Sequence, residues 1–214
     1  MNKLFALSAL TIAMAAPAAY AQDAGSYIVR GRAVHLDSAN KNSADLKATL
    51  TTVAGQPAEA SINNKWLPEL DITYFFTPNL AAELILTYPQ SQNLSVTGVG
   101  KIGTFKHLPP VLSFQYHVTG LPGFRPYAGI GVNYTNISSV KWDSNVTALN
   151  LNLKRNSYGL AVQLGADVPV GGGWLINFDL KKVQIGTDVT SGGNKIGTFK
   201  VDPLLLSVGV GKRF

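Results

Sequence analysis

The sequence of 214 residues predicts an all-β protein, an eight-stranded antiparallel transmembrane β-barrel. Eight runs of residues alternate between apolar and polar side chains, which is the period-two pattern of strands with two unlike faces. The connections between these runs alternate between short turns and long polar segments. No run of about eighteen apolar residues follows residue 21, so a spanning helix is not expected, and strands that cross a bilayer must close into a barrel.

Residues 1–21 are predicted to be a cleaved signal peptide, followed by a barrel of residues 22–214. Lys3 supplies the positive charge, residues 4–16 form an apolar stretch, and Ala19-Tyr20-Ala21 has the small-x-small pattern of a cleavage site. An uncleaved anchor helix is the alternative, but the apolar stretch is short for a membrane span.

The first four strands are predicted at about residues 26–36, 66–77, 80–88 and 108–119. The first contains two charged residues at alternate positions, Arg30 and Arg32. In the next three strands, one face is apolar and the opposite face holds charges, hydroxyls and amides. In the second strand, for example, the two faces are Leu70, Ile72, Tyr74 and Phe76 against Glu69, Asp71 and Thr73.

The last four strands are predicted at about residues 125–137, 157–170, 174–185 and 200–214. The eighth has an apolar face of Leu204, Leu206, Val208 and Val210, and it ends at Phe214. Alternation alone does not tell which face is inside, but glycines on the polar faces favour those faces as the crowded interior of a narrow barrel. Aromatic residues lie near strand ends, where membrane girdles belong: Tyr74, Phe76, Tyr88, Tyr134, Tyr158, Trp174 and Phe214.

The connections between the strands fall into two length classes. Tight turns are expected at residues 77–79, 120–123 and 171–173, and long polar segments at 37–65, 89–107, 138–156 and 186–199. This alternation puts short turns at one end and long segments at the other, as in barrels with periplasmic turns and extracellular loops. A soluble sandwich, the alternative fold, has no reason to sort loops by end. The Asn and Ser content of segments 37–65 and 138–156 favours mobile loops.

One hexapeptide occurs twice, at Lys101–Lys106 and Lys195–Lys200. Two copies do not make a repeat protein. Each copy precedes an even-numbered strand, so we expect matching approaches to these strands at the long-loop end. An old hairpin duplication is the alternative.

Composition excludes several classes of function. The net charge of +6 is spread along the chain, and no basic patch or module for nucleic acid is present. Without cysteine, disulfides and thiolate metal sites are excluded, and His35, His107 and His117 are too scattered for a metal site. Ser113 lies four residues from His117, about 13 Å along a strand, which is too far for a catalytic hydrogen bond. We therefore expect no enzyme activity, metal or cofactor.

Several segments resemble the OmpW family of small outer-membrane proteins: Leu67-Pro68-Glu69-Leu70-Asp71, His107-Leu108-Pro109-Pro110, Phe124 to Thr135, Trp174-Leu175 and Arg213-Phe214. The resemblance covers nearly all of residues 22–214. It implies a bacterial outer-membrane barrel with a narrow hydrophobic interior that is linked to uptake of small apolar molecules.

The resemblance also implies a constriction between inward side chains of the third and seventh strands. Ile85 matches its apolar character, whereas Lys181 departs from it and argues against a fully hydrophobic gate. Phe214 is implied as the signal that the barrel-assembly machinery recognises, although Lys212 stands where the family has an aromatic residue.

The candidate lumen lining, or solute path, consists of inward-facing residues: Arg30, Arg32, Asp71, Phe75, Glu83, Ile85, Gln115, His117, Tyr127, Asp167, Asp179 and Lys181. The charged members are expected to pair, as buried charges must, with Arg30 and Arg32 facing Asp71 and Glu83. They form either a polar plug or the polar lining of a path. Since an eight-stranded interior is filled by side chains, passage would need loop movement or a sideways exit between strands.

The sequence thus predicts a barrel that binds or passes small hydrophobic molecules. A structural or surface-interaction barrel, whose loops bind a partner, is the alternative, and a lipid-modifying enzyme is third. Expected partners are outer-membrane lipids and lipopolysaccharide, small hydrophobic solutes and the barrel-assembly machinery. A monomer is expected, with association into oligomers left open.

Overall fold

The structure is a computed structural model that describes residues 24–214, so the predicted signal peptide lies outside the described residues. The elements follow in the order β1 Tyr27–Asp37, β2 Lys41–Asn42, α1 Ala44–Ala54, β3 Ala60–Ile62, β4 Lys65–Phe75, β5 Leu80–Leu86, β6 Gln90–Val96, β7 Gly100–Leu108, β8 Val111–His117, β9 Arg125–Trp142, a 3-10 helix Ser144–Leu149, β10 Leu151–Leu153, β11 Asn156–Gly171, β12 Trp174–Val183, β13 Gly186–Ser191, β14 Asn194–Lys200 and β15 Leu204–Arg213. Within residues 24–214, no helix combines the length and apolarity needed to cross a membrane.

Eight strands form a closed antiparallel ring in the order β11-β12-β15-β1-β4-β5-β8-β9, and β9 pairs with β11 to complete it. The predicted eight-stranded barrel is therefore confirmed, and each predicted strand corresponds to one strand of the ring. β8 begins only at Val111, because Pro109 and Pro110 have no N–H to donate to a ladder. β15 likewise begins after Pro203.

The apolar faces point outward and the polar faces point into the barrel, as predicted. Outward apolar side chains are 41–71 % exposed on seven of the ring strands: Leu70, Leu84, Phe114, Ile130, Leu164, Phe178 and Leu206. Such a surface suits lipid rather than water. Aromatic pairs mark its two borders: Tyr27 stacks on Phe214 at the short-turn end and Tyr134 packs on Tyr158 at the long-loop end, each pair 5.2 Å apart between ring centroids.

At the long-loop end, the structure has sheets and a helix instead of the predicted mobile loops. β9 continues beyond the ring and pairs with β7, which extends the wall through β6 and β3. A second sheet has the order β10-β13-β14-β2. Helix α1 begins at Ser43, whose Oγ accepts a hydrogen bond from Leu46 N at 3.3 Å, and ends at Gly55 in the left-handed region.

The two copies of the hexapeptide occupy equivalent places in two hairpins. In β6–β7, Leu94 pairs with Gly103 and Ser95 with Lys101, so that Ile102 bulges. In β13–β14, Val189 pairs with Gly197 and Thr190 with Lys195, so that the ladder skips the isoleucine in the same place. Phe105 and Phe199 are each 2 % exposed and pack into one apolar core. The sequence repeat is therefore a structural repeat, and the two copies lead into β8 and β15, the fourth and eighth ring strands in chain order.

The interior has two levels. The short-turn half of the barrel is filled mainly by polar and charged side chains, with a small apolar cluster of Ile28, Phe75, Ala81 and Leu175 at its end. Above it, an apolar core continues from the upper ring into the loop-end sheets; its members include Leu46, Ile62, Ile85, Leu94, Ile102, Phe105, Val111, Ile137, Val146, Val183, Ile185, Val189 and Phe199. We call this cluster the upper apolar core. The boundary between the two levels is the feature around which the candidate site is built.

Candidate functional site

All twelve residues predicted to line the lumen lie inside the barrel, and none is more than 3 % exposed. The structure places most of them in one layer at mid-height, Phe75 and His117 below it, and Ile85 above it. We call the mid-height layer the ionic layer; its charged members are Arg30, Arg32, Glu69, Asp71, Glu83, Asp167, Asp179 and Lys181.

Arg30 joins opposite walls of the barrel. Its Nε and Nη2 donate to the two carboxylate oxygens of Asp167 on β11, at 3.1 and 2.7 Å. Its Nη1 donates to Asp71 Oδ1 at 3.0 Å and to Thr73 Oγ1 at 2.6 Å on β4. This bidentate, fully buried arrangement is the strong geometry for a guanidinium and a carboxylate.

Arg32 lies two residues after Arg30 on β1, towards the long-loop end, and binds a second set of partners. Its guanidinium lies 3.1 Å from Glu69, 3.2 Å from Asp71 and 3.1 Å from Glu83. Lys181 Nζ lies 3.6 Å from both Glu69 and Asp179. Lys181 therefore belongs to the ionic layer rather than to an apolar gate.

Uncharged groups complete the layer. Tyr127 Oη donates to Asp179 at 2.9 Å, and Gln163 Nε2 donates to Asp179 at 2.6 Å and to Glu83 at 2.8 Å. Asn177 Nδ2 donates to Asp167 at 2.8 Å. Side chains from β1, β4, β5, β9, β11 and β12 are thereby linked across the lumen, which closes the straight path through the barrel.

The predicted site did not include Glu69, Thr73, Gln163 and Asn177, although each lies on the polar face of its strand. The available signal was their position on the same faces as the predicted inward charges. An inward amide or hydroxyl in a narrow barrel has to find a partner, so such residues belong to the same network.

Below the ionic layer, the His117 ring packs between Phe75 and Tyr127, with both centroid separations at 4.8 Å. Its Nε2 lies 2.9 Å from Gln115 Oε1. Across residues 24–214, no cluster of His, Asp or Glu is suited to a metal ion. The arrangement fits packing of the short-turn end.

Above the ionic layer lies a lumen cavity of about 30 Å³. Its wall is mainly apolar, with Leu36, Leu67, Ile85, Val111, Val183, Ile185 and Leu205, and it also includes Gln90, His107, Glu69 and Lys181. Burial, with a smaller contribution from the Lys65 ammonium, lowers the pKa of His107 to about 4, so its ring is neutral near pH 7. We call this space the lumen cavity.

A second, larger space opens at the long-loop end. This mouth groove has a volume of about 360 Å³ and lies between α1, the 3-10 helix and the two bulged hairpins. Its lining is dominated by aliphatic side chains, among them Leu50, Val53, Val96, Val99, Ile102, Val146, Leu149 and Ile196. Ile102 and Val146 also belong to the upper apolar core, so the groove and the core are continuous.

A third space of about 430 Å³ lies in the wall, where β11 is no longer paired with β12. The ladder between β11 and β12 ends at the pair Ala161–Val183, and beyond it Gln184 N donates to Leu160 O at 2.9 Å. The chain then departs as β13, which pairs with β10 and β14 instead. We call the resulting gap the wall opening; Ser157, Tyr158, Ile185 and Gly186 are among its lining residues.

Ile185 lies between two of these spaces, because it lines both the wall opening and the lumen cavity. Ser157 Oγ accepts a hydrogen bond from Gly186 N at 3.0 Å across the gap. At its outer edge, Lys195 Nζ lies 2.7 Å from Asp188 Oδ1, and this hydrogen bond lowers the pKa of the Asp188 carboxyl. The lining of the wall opening is therefore mainly polar and charged, and Ile185 is its aliphatic contact with the lumen cavity.

The sequence model of the OmpW family matches residues 23–214. The outer-membrane protein y4mB of Sinorhizobium fredii is 37% identical over 170 residues, which cover 76% of this chain and 72% of that protein. The dibenzothiophene metabolism operon protein PahQ of Pseudomonas aeruginosa is 31% identical over 76% of this chain and 77% of its own length. The crystal structure of the outer membrane protein OprG from Pseudomonas aeruginosa superposes with a TM-score of 0.75 at 29% identity, covering 90% of this chain and 97% of that one.

Proposed function

The chain belongs to the OmpW family of the bacterial outer membrane, and on this premise we propose that it admits small hydrophobic molecules through the loop end and releases them sideways through its wall. Catalysis has no part in this proposal. The observation that carries it is the continuity of apolar surface from the mouth groove, through the upper apolar core, to the lumen cavity at Ile85.

The ionic layer forms the floor of this path. An apolar solute that crossed it would have to separate buried ion pairs without replacing their hydrogen bonds, which is strongly unfavourable. Of the predicted path residues, we therefore assign Ile85 to solute contact and the charged residues to the floor. Phe75 and His117 lie below the floor, and the Tyr127 hydroxyl is part of it.

The wall opening offers the exit. It lies next to Tyr158, an outward aromatic residue that is 78 % exposed at the upper border of the lipid-facing surface. A solute displaced past Ile185 would enter the hydrocarbon of the membrane without meeting the ionic layer. The exposed Lys154 and Lys200 line the same opening, where they suit contact with phosphate groups of lipopolysaccharide.

The solute class is also supported by a relative. PahQ is named for an operon of dibenzothiophene metabolism, and dibenzothiophene is an apolar aromatic compound. We carry over the class of small apolar molecules, and not that compound, to this chain.

The test uses a removable lock on the wall opening. Ser157→Cys and Gly186→Cys place two thiols across the gap in a protein that has no other cysteine. A Cβ at Gly186 would meet its nearest neighbours at 3.5 and 3.6 Å, which is ordinary contact, so the substitution is tolerated. Each single-cysteine variant is the matched control.

Flux is measured into vesicles that have lipopolysaccharide in the outer leaflet and enclose serum albumin as a trap, with n-octane as the solute. We expect oxidation of the double variant to slow uptake to the rate of empty vesicles, and reduction to restore it. Unchanged uptake after verified disulfide formation would exclude the sideways exit. Wild-type uptake no faster than that of empty vesicles would refute the proposed function itself.

A further inference from the structure

We propose that the preferred solutes are alcohols, molecules with an apolar body and one hydroxyl group, and that Gln90 and His107 bind the hydroxyl in the lumen cavity. This inference rests on the proposed function and specifies its substrate class. It arises from two polar side chains of one hairpin that line a mainly apolar cavity.

Gln90 and His107 are cross-strand partners on β6 and β7. Each is 1 % exposed, and both line the lumen cavity beside Ile85 and Val111. Gln92, which is fully buried, lies next to them, with its Nε2 3.2 Å from His107 Nε2. Small-molecule sites commonly combine an apolar wall with a few such polar groups that fix orientation.

The hydrogen bonds of this group are incomplete. Gln90 Nε2 donates to the carbonyl of Tyr88 at 3.0 Å, which fixes the orientation of the amide. Gln90 Oε1, Gln92 Oε1 and His107 Nδ1 have no hydrogen-bond partner among residues 24–214. Buried polar atoms without partners are uncommon in proteins, and here three of them lie on one hairpin.

The chemistry of the free atoms selects the ligand group. Gln90 Oε1 can only accept, so its partner must donate, which excludes alkanes, ethers, esters and ketones as complete partners. Gln92 Nε2 can only donate, so the neutral His107 ring accepts at Nε2 and carries its proton on Nδ1, which donates. A hydroxyl serves both free atoms, because it donates to Gln90 Oε1 and accepts from His107 Nδ1. A charged head group is disfavoured, because the surrounding wall is largely hydrocarbon.

The size of the cavity agrees with this assignment. About 30 Å³ holds a hydroxyl group and not a bulky head. The apolar body of the alcohol would extend along the upper apolar core towards the mouth groove, where the lining is aliphatic.

The experiment compares n-octanol, octyl methyl ether and n-octane in the same trap vesicles, each as the ratio of uptake with protein to uptake without it. One hydrogen bond of ordinary strength corresponds to about a threefold to tenfold effect. We expect the octanol ratio to exceed the other two by about that factor. Gln90→Leu should lower the octanol ratio to the octane value and leave octane unchanged.

The matched control is Asn93→Leu, which also replaces an amide side chain by leucine, on the exposed face of the same strand. His107→Phe is the second variant, in case Gln90→Leu does not fold, and it should also remove the preference for octanol. In addition, the side-chain amide resonance of Gln90 in ¹⁵N-labelled protein should shift with octanol and not with octane.

Equal ratios for octanol and octane in the wild type, or an octanol preference that survives both variants, would overturn the inference while leaving uptake of apolar solutes in place. An amide resonance that responds to neither solute would mean that water alone occupies the site, and this also overturns it. Ratios of one for every solute would instead refute the proposed function.

Discussion

Replacing Arg30 by Met should be among the most destabilising single changes in this barrel. The guanidinium is fully buried and donates four hydrogen bonds, two to Asp167, one to Asp71 and one to Thr73. Methionine fills much of the same volume but leaves the buried Asp167 carboxylate without the guanidinium that binds it, and it removes one of the two guanidinium groups beside Asp71. Breaking a buried ion pair on one side costs about 3–5 kcal/mol. With a urea dependence of about 2 kcal/mol per M, the unfolding midpoint should fall by roughly 1.5–2.5 M.

The assay is reversible urea unfolding in detergent micelles or lipid vesicles, followed by tryptophan fluorescence. Arg155→Met is the matched control, because Arg155 is exposed and its Nη2 donates to Asn152 at 3.3 Å; its effect should stay within about 0.5 kcal/mol. Combining Arg30→Met with Asp167→Asn should cost less than the two single changes together, by about 1–3 kcal/mol. If Arg30→Met lies within about 1 kcal/mol of the wild type, the ionic layer is not a set of mutually dependent buried charges.

Three further predictions concern other parts of the chain. Gly197→Ala should destabilise the docking of α1 by about 1–3 kcal/mol, because its Cβ would lie 2.6 Å from Leu46 N, whereas Gly31→Ala has free space and should be neutral; hydrogen exchange of the α1 amides measures the difference. Burial lowers the pKa of His107 from 6.5 to about 4. As the pH falls from about 6.5 to 4, the unfolded chain therefore binds a proton at this histidine and the folded protein does not, so the free energy of unfolding should fall by on the order of 3 kcal/mol. Urea unfolding measures this loss, and His107→Gln should not show it. Deleting Phe214 should sharply reduce the amount of folded protein in isolated outer membranes, and normal assembly of the deletion variant would refute its predicted role as the assembly signal.

The ring strands were predictable because lipid imposes a simple rule on each of them. Every second side chain must be apolar along the whole span, and the opposite face must fit a narrow interior. Leu70 and Ile72 against Asp71 and Thr73 show this contrast without exception. The predicted and observed strand boundaries differ next to proline. The eighth strand was predicted to begin at about residue 200 but begins after Pro203, whose nitrogen cannot donate to the ladder.

The loop-end sheets were not predicted, because the face of β6 that turns inward combines amides with aliphatic residues. Gln90, Gln92, Leu94 and Val96 are all buried there, and the contrast with the exposed face is weak. Helix α1 had a usable signal, a serine before and a glycine after eleven residues without proline. Its short length and polar surroundings hid it within a segment interpreted as a loop.

Membership of the ionic layer was largely predictable, and so was the pairing of Arg30 and Arg32 with Asp71 and Glu83, but the pairing across the lumen was not. The face of each strand decides whether a side chain points inward, and Arg30, Asp71 and Asp167 were assigned correctly on that ground alone. That Arg30 reaches Asp167 across the lumen depends on the stagger of all the strands between β1 and β11, which no local pattern contains. The wall opening likewise depends on strand pairing, because it forms where the chain after β12 leaves β11 and continues as β13 in another sheet.

The ring is sealed by pairing β1 with β15, which brings residue 28 beside residue 213. This is contact between segments at the far ends of the described chain, and it gives the fold a high contact order. The conformational entropy of closing so long a loop has to be met before any of the seam's hydrogen bonds can form. Until that moment the sheet has two bare edges that are prone to aggregate. Folding of this barrel should therefore be slow and late, and its yield should depend on how long a chaperone keeps the two edge strands apart from other chains.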